Sequence, residues 1–192
     1  MVSRSSPLEE IKGFVKEVIS EFYDNEEYLF HRNHEKGLCE RCLVFRFAHL
    51  LQNKLGNSYF VDCDYDSSFE EYRDEHGDIR GAERNGKAVR MRDGGVVNRF
   101  VDIIVHKRDY NTVNDFICFE IKKWKNKNKK EIEKDKNNLK ELTSSYGYLL
   151  GFHLSLGHSK NKTKWSIFHN GNSIVSDKLV FQNAGQNTIQ TN

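Results

Sequence analysis

Apolar residues recur at two different spacings along the chain, and the change of spacing divides it into predicted helices and strands. Intervals of three and four residues keep side chains on one face of a helix, and they predict helices over residues 7–23, 38–55 and 129–144. Short apolar runs bounded by polar turns predict strands over residues 59–65, 96–106, 116–122 and 146–156, and a hairpin of residues 163–169 and 174–181. This order predicts an α/β fold in which helices pack on a mixed sheet.

Two segments fall outside this pattern. Residues 66–95 are polar and charged and contain several glycines, which predicts a long loop with at most a short hairpin over residues 87–92. Residues 182–192 have no apolar pattern and are predicted to be a flexible tail. We therefore expect a single domain over residues 1–181, with its core in residues 38–156 and a C-terminal hairpin in residues 163–181.

Composition is compatible with one folded domain. The chain has 192 residues, of which 37% are hydrophobic and 30% are charged, and this length is sufficient to bury a core. The net charge of +2 does not by itself indicate a nucleic-acid partner. The distribution of charge is more informative, because acids are concentrated in residues 9–35 and 62–83, whereas residues 122–136 are strongly basic.

The N-terminus and the cysteines indicate the compartment. Residues 1–10 are charged and lack the apolar segment of a secretory signal, and no apolar run approaches the roughly 20 residues of a membrane span. Four cysteines without a secretory signal are typical of free thiols in a reducing cytoplasm, or of a metal site. We therefore expect a cytoplasmic protein without a membrane partner.

Three charged residues interrupt the apolar strands: Asp102 in one, and Glu120 and Lys122 in the next. Glu120 and Lys122 are two positions apart, so both point to the same side of a strand. Carboxylate oxygens suit Mg²⁺ or Mn²⁺, which lowers the pKa of a bound water and stabilises charge on a reacting phosphate. A nearby lysine can orient or deprotonate that water, or hold the phosphate. The alternative is an exposed charged set at the edge of a sheet.

Two further acids lie on predicted helices at positions where apolar residues are expected. Glu40 precedes Leu43 and Val44 by three and four residues, and Asp135 lies three residues after Ile132. Glu40 either takes a partner or a metal ion, or the helix begins later and Glu40 is solvated. Together with the acids on the strands, these positions make a phosphodiester-hydrolysing site a reasonable expectation.

The segment around Asp102 and Glu120-Ile121-Lys122 resembles the core motif of the PD-(D/E)XK nuclease superfamily, in a bacterial branch of it. Glu40 with Arg46 on the preceding helix, residues 61–65 on the following strand, and Asp135 on the helix after the core also resemble that family. The resemblance covers residues 38–151. Where the proline that names the motif would stand, this chain has Val101.

The resemblance implies a restriction-endonuclease-like fold, a mixed β-sheet flanked by helices, and a Mg²⁺- or Mn²⁺-dependent (endo)nuclease that hydrolyses phosphodiester bonds, with DNA the expected substrate and RNA left open. It implies that Asp102, Glu120, the carbonyl of Ile121 and Glu40 hold the metal ion, and that Lys122 assists the nucleophilic water. Asp135 and Arg46 are expected to give structural support. A homodimer and a separate partner chain both remain open. The alternative function is an inactive nuclease-like module that binds nucleic acid or protein.

Two sets of residues are singled out by charge or spacing. Contacts with the phosphate backbone are expected from Arg99, Arg108, Lys123, Lys125 and Lys127, with Trp124 among them; the alternative is a solvated loop. Zinc-like spacing is shown by His31, His34, Cys39 and Cys42. Cys42 is expected near the packed side of its helix, and this position favours a buried thiol over a zinc ligand.

Overall fold

The computed structural model describes residues 2–31, 40–65, 68–73, 79–85, 87–90, 96–99, 101–107, 115–124 and 128–181. The helices in these ranges are α1 (Leu8–Asn25), α2 (Glu27–His31), α3 (Glu40–Leu55) and α4 (Lys129–Ser145). The strands are β1 (Phe60–Tyr65), β2 (Ser68–Arg73), β3 (Ile79–Asn85), β4 (Lys87–Arg90), β5 (Val96–Arg99), β6 (Val101–His106), β7 (Ile117–Lys123), β8 (Leu150–Leu156), β9 (Lys164–His169) and β10 (Asn172–Lys178).

A six-stranded mixed sheet forms the centre of the fold, with the strand order β1-β6-β7-β8-β9-β10. Strand β8 runs parallel to β7, and the other neighbouring strands are antiparallel. A parallel pair needs a long connection between its strands, and α4 provides it here. The predicted α/β architecture, a mixed sheet with helices packed on it, is confirmed at this level.

The two faces of the sheet are covered by different helices. Ile103, Phe119 and Ile121 belong to the cluster that packs against α1 and α3. Ile104 and Cys118 belong to a smaller cluster that includes apolar residues of α4. Because successive residues of a strand point to opposite faces, Glu120 and Lys122 lie on the same side of β7 as Cys118, facing α4.

The insert between β1 and β6 is not the long loop that its polar composition predicts. Strand β2 pairs with β3, and β4 pairs with β5, each pair antiparallel. Strand β5 occupies the first part of the predicted strand over residues 96–106, so that this strand is divided between two sheets. Charged residues alternate with few apolar ones in these strands, and the hydrophobic pattern that reveals a buried strand is therefore absent.

Other boundaries shift for local reasons. The strand predicted over residues 146–156 begins only at Leu150, because Gly147 adopts a positive φ of 75° that ends extended structure before it. The short α2 was not predicted, although its Leu29 and Phe30 are buried. The predicted tail over residues 182–192 lies outside the described residues. None of the helices in the described ranges is long and apolar enough to cross a membrane.

Candidate active site

Strands β6 and β7 separate at the residues that the sequence singles out. Their pairing runs from Val105 opposite Ile117 to Ile103 opposite Phe119 and stops there. Asp102 and Glu120 would form the next pair. The backbone N–H of Ile121 donates instead to Oδ2 of Asp102 at 2.7 Å. A side-chain carboxylate therefore replaces a strand carbonyl as acceptor, and a gap opens between the two strands.

Lys122 bridges the two helices that cover opposite faces of the sheet. Its Nζ lies 3.1 Å from Oε1 of Glu40, the first residue of α3, and 3.3 Å from Oδ2 of Asp135 in α4. The other oxygen of Glu40 accepts a hydrogen bond from the backbone N–H of Lys123 at 3.2 Å. The Lys122 side chain is only 14% exposed. The Glu40 side chain is 30% exposed, but the end of β7 engages both of its oxygens, so Glu40 takes partners within the protein.

The contact between Lys122 and Asp135 joins two buried charges. Nζ of Lys122 lies 3.3 Å from Oδ2 of Asp135, short enough for strong attraction. Among the described residues, this buried oxygen has no other hydrogen-bond partner. Asp135 therefore depends on Lys122 to offset its buried charge.

Glu120 is the most deeply buried acid of the group, with only 3% of its surface exposed. Its Oε1 accepts a long hydrogen bond of 3.5 Å from Nδ2 of Asn138. Asn138 was not predicted as a site residue. The signal that could have found it is its spacing, because it follows Asp135 by three residues and so lies on the same face of α4.

Four carboxylates and one ammonium group share this region, and the pKa values reflect the excess of negative charge. Burial raises the pKa of Asp102 to about 6, and the negative charges of Glu40 and Asp135 add to it against the opposing effect of the Ile121 amide and Lys122. Burial, with Asp102 and Asp135 nearby, raises the pKa of Glu120 well above its usual range. Burial alone would lower the pKa of Lys122, but the surrounding carboxylates outweigh it and raise that pKa.

The donor set fits a hard divalent cation. Carboxylate oxygens are the ligands that Mg²⁺ and Mn²⁺ prefer, and a cation would offset the unfavourable charge that raises the pKa of both Asp102 and Glu120. Within the described ranges, no three His, Cys, Asp or Glu side chains already form a group that could hold a metal ion. Mg²⁺ needs only one or two protein carboxylates because it keeps several of its waters, and one oxygen of Asp102 is not engaged by Ile121.

The residues expected to contact nucleic acid are only partly described. Arg108, Lys125 and Lys127 lie outside the described residues, and Arg99 is the last residue of β5. Lys123 is half-buried at the end of β7. The ring of Trp124 lies 5.9 Å from that of Phe30 and packs against the core on the α3 face. The contact observed for Trp124 is therefore with the core.

Arg46 supports the packing of the helices. Its Nε donates to Oε1 of Glu26, the buried residue that follows α1, at 2.7 Å. The alternative of a zinc site rests mainly on residues outside the described ranges, since His34 and Cys39 are among these. Cys42 is described, and it is exposed on α3, so the expectation that it faces the packed side is wrong. A helix that begins at Glu40 packs its next turn through Leu43 and Val44, and this orientation turns Cys42 outwards.

His153 is a further titratable residue beside the site. It is the partner of Glu120 in the parallel pairing of β7 and β8, and only 3% of its surface is exposed. Its Nε2 has no hydrogen-bond partner in the part of the chain that the structure describes. Burial, together with the charges of Lys136 and Lys122, lowers its pKa to about 4. In the sequence, His153 is noticeable only as a histidine in an otherwise apolar strand.

The structure thus brings four predicted site residues, Glu40, Asp102, Glu120 and Lys122, together with Asp135 at one end of β7. Comparisons of the chain with models of protein families, with curated proteins and with solved structures found no match. A functional assignment therefore has to be argued from the residues of the site and their arrangement.

Proposed function

We propose that this protein is a Mg²⁺- or Mn²⁺-dependent nuclease of the PD-(D/E)XK type, which hydrolyses phosphodiester bonds in DNA. The observation that supports it best is the convergence at the gap between β6 and β7. Asp102 and Glu120 lie there on adjacent strands, and Lys122 lies beside them between carboxylates from α3 and α4. Burying several like charges together costs free energy. Such clusters are therefore uncommon, and they are found mainly at functional sites.

The order of elements also supports a restriction-endonuclease-like fold. A helix, α3, precedes the antiparallel strands β1, β6 and β7, and α4 then leads to the parallel strand β8. From the resemblance to PD-(D/E)XK nucleases, we expect such an arrangement to bring Asp102 on β6 close to Glu120 and Lys122 on β7.

Each residue of the site has a role in this proposal. Asp102 and Glu120, with the carbonyl of Ile121, would hold the metal ion. Glu40, whose oxygens are engaged by Lys122 and Lys123, would position Lys122 instead of binding the ion directly. When bound, Mg²⁺ would supply a water of lowered pKa and a positive charge for the reacting phosphate. Lys122 would hold the attacking water or a phosphate oxygen with an ammonium group that Glu40 and Asp135 keep in place.

The direct test is cleavage of plasmid and labelled linear DNA by the purified protein, with Mg²⁺, with Mn²⁺ and with a chelator. We expect cleavage only with the metal ions, and its loss in Glu120→Ala and Lys122→Ala. The matched control is Glu17→Gln, which removes an exposed acid from α1 and should leave the rate unchanged. Labelled RNA in the same assay distinguishes the two kinds of nucleic acid.

Two outcomes would redirect the proposal. Cleavage that persists unchanged in both Glu120→Ala and Lys122→Ala would show that this site is not the source of the activity. Binding of DNA without cleavage, together with no heat of metal binding in calorimetry, would instead indicate a nuclease-like module that binds without cutting.

A further inference from the structure

An open cavity of about 360 Å³ lies beside the candidate active site, on the α4 face of the sheet. Its walls come from the N-terminal half of α4 and from β8, β9 and β10. The lining is polar and basic, with Lys136, Lys164 and Lys178 against the single acid Asp177. Such a concentration of positive charge attracts an anion.

Two rows of side chains lead from the active-site residues into this cavity. In each row the members are register partners on neighbouring strands from β7 to β10, so they share one face of the sheet. The first row is Glu120, His153, Ser166 and Ser176. The second row is Lys122, Ser155, Lys164 and Lys178. Every member beyond β7 lines the cavity, which therefore lies next to the site along the sheet.

The floor of the cavity has a polar atom without a partner. His153 is 3% exposed, and its Nε2 forms no hydrogen bond with any described residue. Buried polar atoms are rarely left unsatisfied unless a ligand or water completes them. A neutral imidazole ring carries one N–H, which Nε2 can donate to an incoming oxygen.

The length of the two rows suits an extended anion better than a small one. Neighbouring strands lie about 4.8 Å apart, so each row spans about 14 Å from β7 to β10. A nucleic-acid strand rises about 3.4 Å per nucleotide, so a row of this length matches roughly four nucleotides. Serine hydroxyls and lysine ammonium groups along the rows are the groups that proteins use to hold phosphates.

We propose that this cavity binds the nucleic-acid strand next to the phosphate that is cut, with Lys136 and Lys178 contacting its phosphates and His153 donating to a phosphate oxygen. The proposal rests on the proposed nuclease function and adds the direction that the substrate strand takes, from the gap between β6 and β7 across the sheet towards β10. Lys136 and Lys178 are positioned for binding and do not reach the reacting phosphate.

Binding of a short fluorescein-labelled DNA strand tests this directly. The measurements use Glu120→Gln as the parent, so that DNA is bound without being cut, and they follow fluorescence anisotropy over a range of salt concentrations with Mg²⁺ present. The combined Lys136→Ala and Lys178→Ala substitutions should weaken binding about tenfold or more. They should also reduce the slope of log K against log salt by roughly 1.4, because each lost phosphate contact on a single strand removes about 0.7.

The matched control removes two lysines that pair with acids of α1, on the opposite side of the sheet: Lys54 in α3 and Lys160. Their loss changes the net charge by the same amount. The control should retain the affinity and slope of the parent. A double variant at Lys136 and Lys178 that is indistinguishable from this control would overturn the proposal.

A second measurement follows the ring of His153 by NMR, with the signal assigned by His153→Gln. Adding the DNA strand should shift it, whereas the same strand should leave the ring signal of His49 on α3 in place. A shift caused by inorganic phosphate but not by DNA would mean a site for small anions and would overturn the strand proposal. If the wild-type protein cuts DNA while these tests fail, only this proposal is lost; if it neither cuts nor binds DNA, the nuclease proposal is lost as well.

Discussion

Nζ of Lys122 lies 3.1 Å from Oε1 of Glu40, a residue 82 positions earlier in the chain. The second oxygen of Glu40 accepts from the N–H of Lys123, so one carboxylate fixes both the side chain and the backbone at the end of β7. The Lys122 side chain could otherwise adopt many rotamers, and the ion pair with Glu40 restricts it to those that keep Nζ beside this carboxylate. Glu40 is therefore best understood as the residue that positions Lys122.

The first prediction concerns the dependence of Lys122 on Glu40. Lys122→Met should lower the rate of DNA cleavage by about 100-fold or more, the usual contribution of a positioned catalytic group. Glu40→Gln keeps a neutral acceptor and should lower the rate by roughly tenfold. Because Glu40 acts through Lys122, adding Glu40→Gln to Lys122→Met should lower the cleavage rate little further. Rate losses that multiply in the double variant would refute this positioning role.

The second prediction is that Asp102→Asn abolishes cleavage but stabilises the metal-free protein. The pKa of Asp102 is raised from 3.8 to about 6 in the folded state, so the native protein loses stability as pH rises from about 4 to about 6. Asparagine has no charge to bury, and its side-chain oxygen can still accept the hydrogen bond from the N–H of Ile121. We expect a gain of about 1–3 kcal/mol at pH 7.

Urea unfolding in the presence of a chelator measures this gain. The difference between Asp102→Asn and the wild type should disappear near pH 4, where the native carboxyl group is protonated. A variant that is less stable than the wild type at pH 7 would show that the carboxylate is already well compensated without metal.

Helices and the central strands could be predicted because their signals are local. Ile11, Val15, Val18 and Phe22 repeat at helical spacing and are all buried in α1. Likewise, Glu40 and Asp135 stood out because acids occupy positions on helices where apolar residues are expected, and both contact Lys122. Such conflicts between the local pattern and residue type are typical of functional sites.

The remaining features depend on contacts between distant residues. His153 gains its importance from being the register partner of Glu120, and no spacing within the chain reveals which strands are neighbours. Asn138 is similar, since an asparagine on a helix is usually solvated. The β2–β3 hairpin was not predicted because its strands have no apolar alternation. A short hairpin over residues 87–92 and a strand from residue 96 were expected, but the pairing of β4 with β5 was not.

The third prediction is that Mg²⁺ stabilises the folded protein through Asp102 and Glu120. An ion that binds only the native state adds roughly 2.7 kcal/mol when present at about 100 times its Kd. The melting temperature of the wild type should therefore rise with Mg²⁺ or Mn²⁺, with potassium chloride of equal ionic strength as the control. Asp102→Asn and Glu120→Gln should lose this rise. An equal rise in both variants would place the ion elsewhere.

The fourth prediction is acid sensitivity caused by His153. Its pKa falls from 6.5 to about 4 on folding, so the unfolded state binds more protons between these values and stability decreases as pH falls from about 6.5 to about 4. The loss should reach up to about 3 kcal/mol. Asp102 has the opposite dependence in the same range, so the comparison is made in Asp102→Asn.

Denaturant unfolding of Asp102→Asn with and without His153→Gln provides the measurement. The variant that keeps His153 should lose stability towards pH 4, and the one with glutamine should lose much less. Parallel curves for the two would mean that the ring of His153 is protonated as readily in the folded protein as in the unfolded chain.

The most direct test of the central claim is a crystal structure grown with Mn²⁺, with the ion located by its anomalous scattering. The account predicts an anomalous peak in the gap between β6 and β7, with oxygens of Asp102 and Glu120 at about 2.1 Å, the distance expected for a small hard cation. It also predicts that Nζ of Lys122 lies close to a water bound to that ion. Asp102 and Glu120 with no peak between them, at a Mn²⁺ concentration that supports DNA cleavage, would contradict the account.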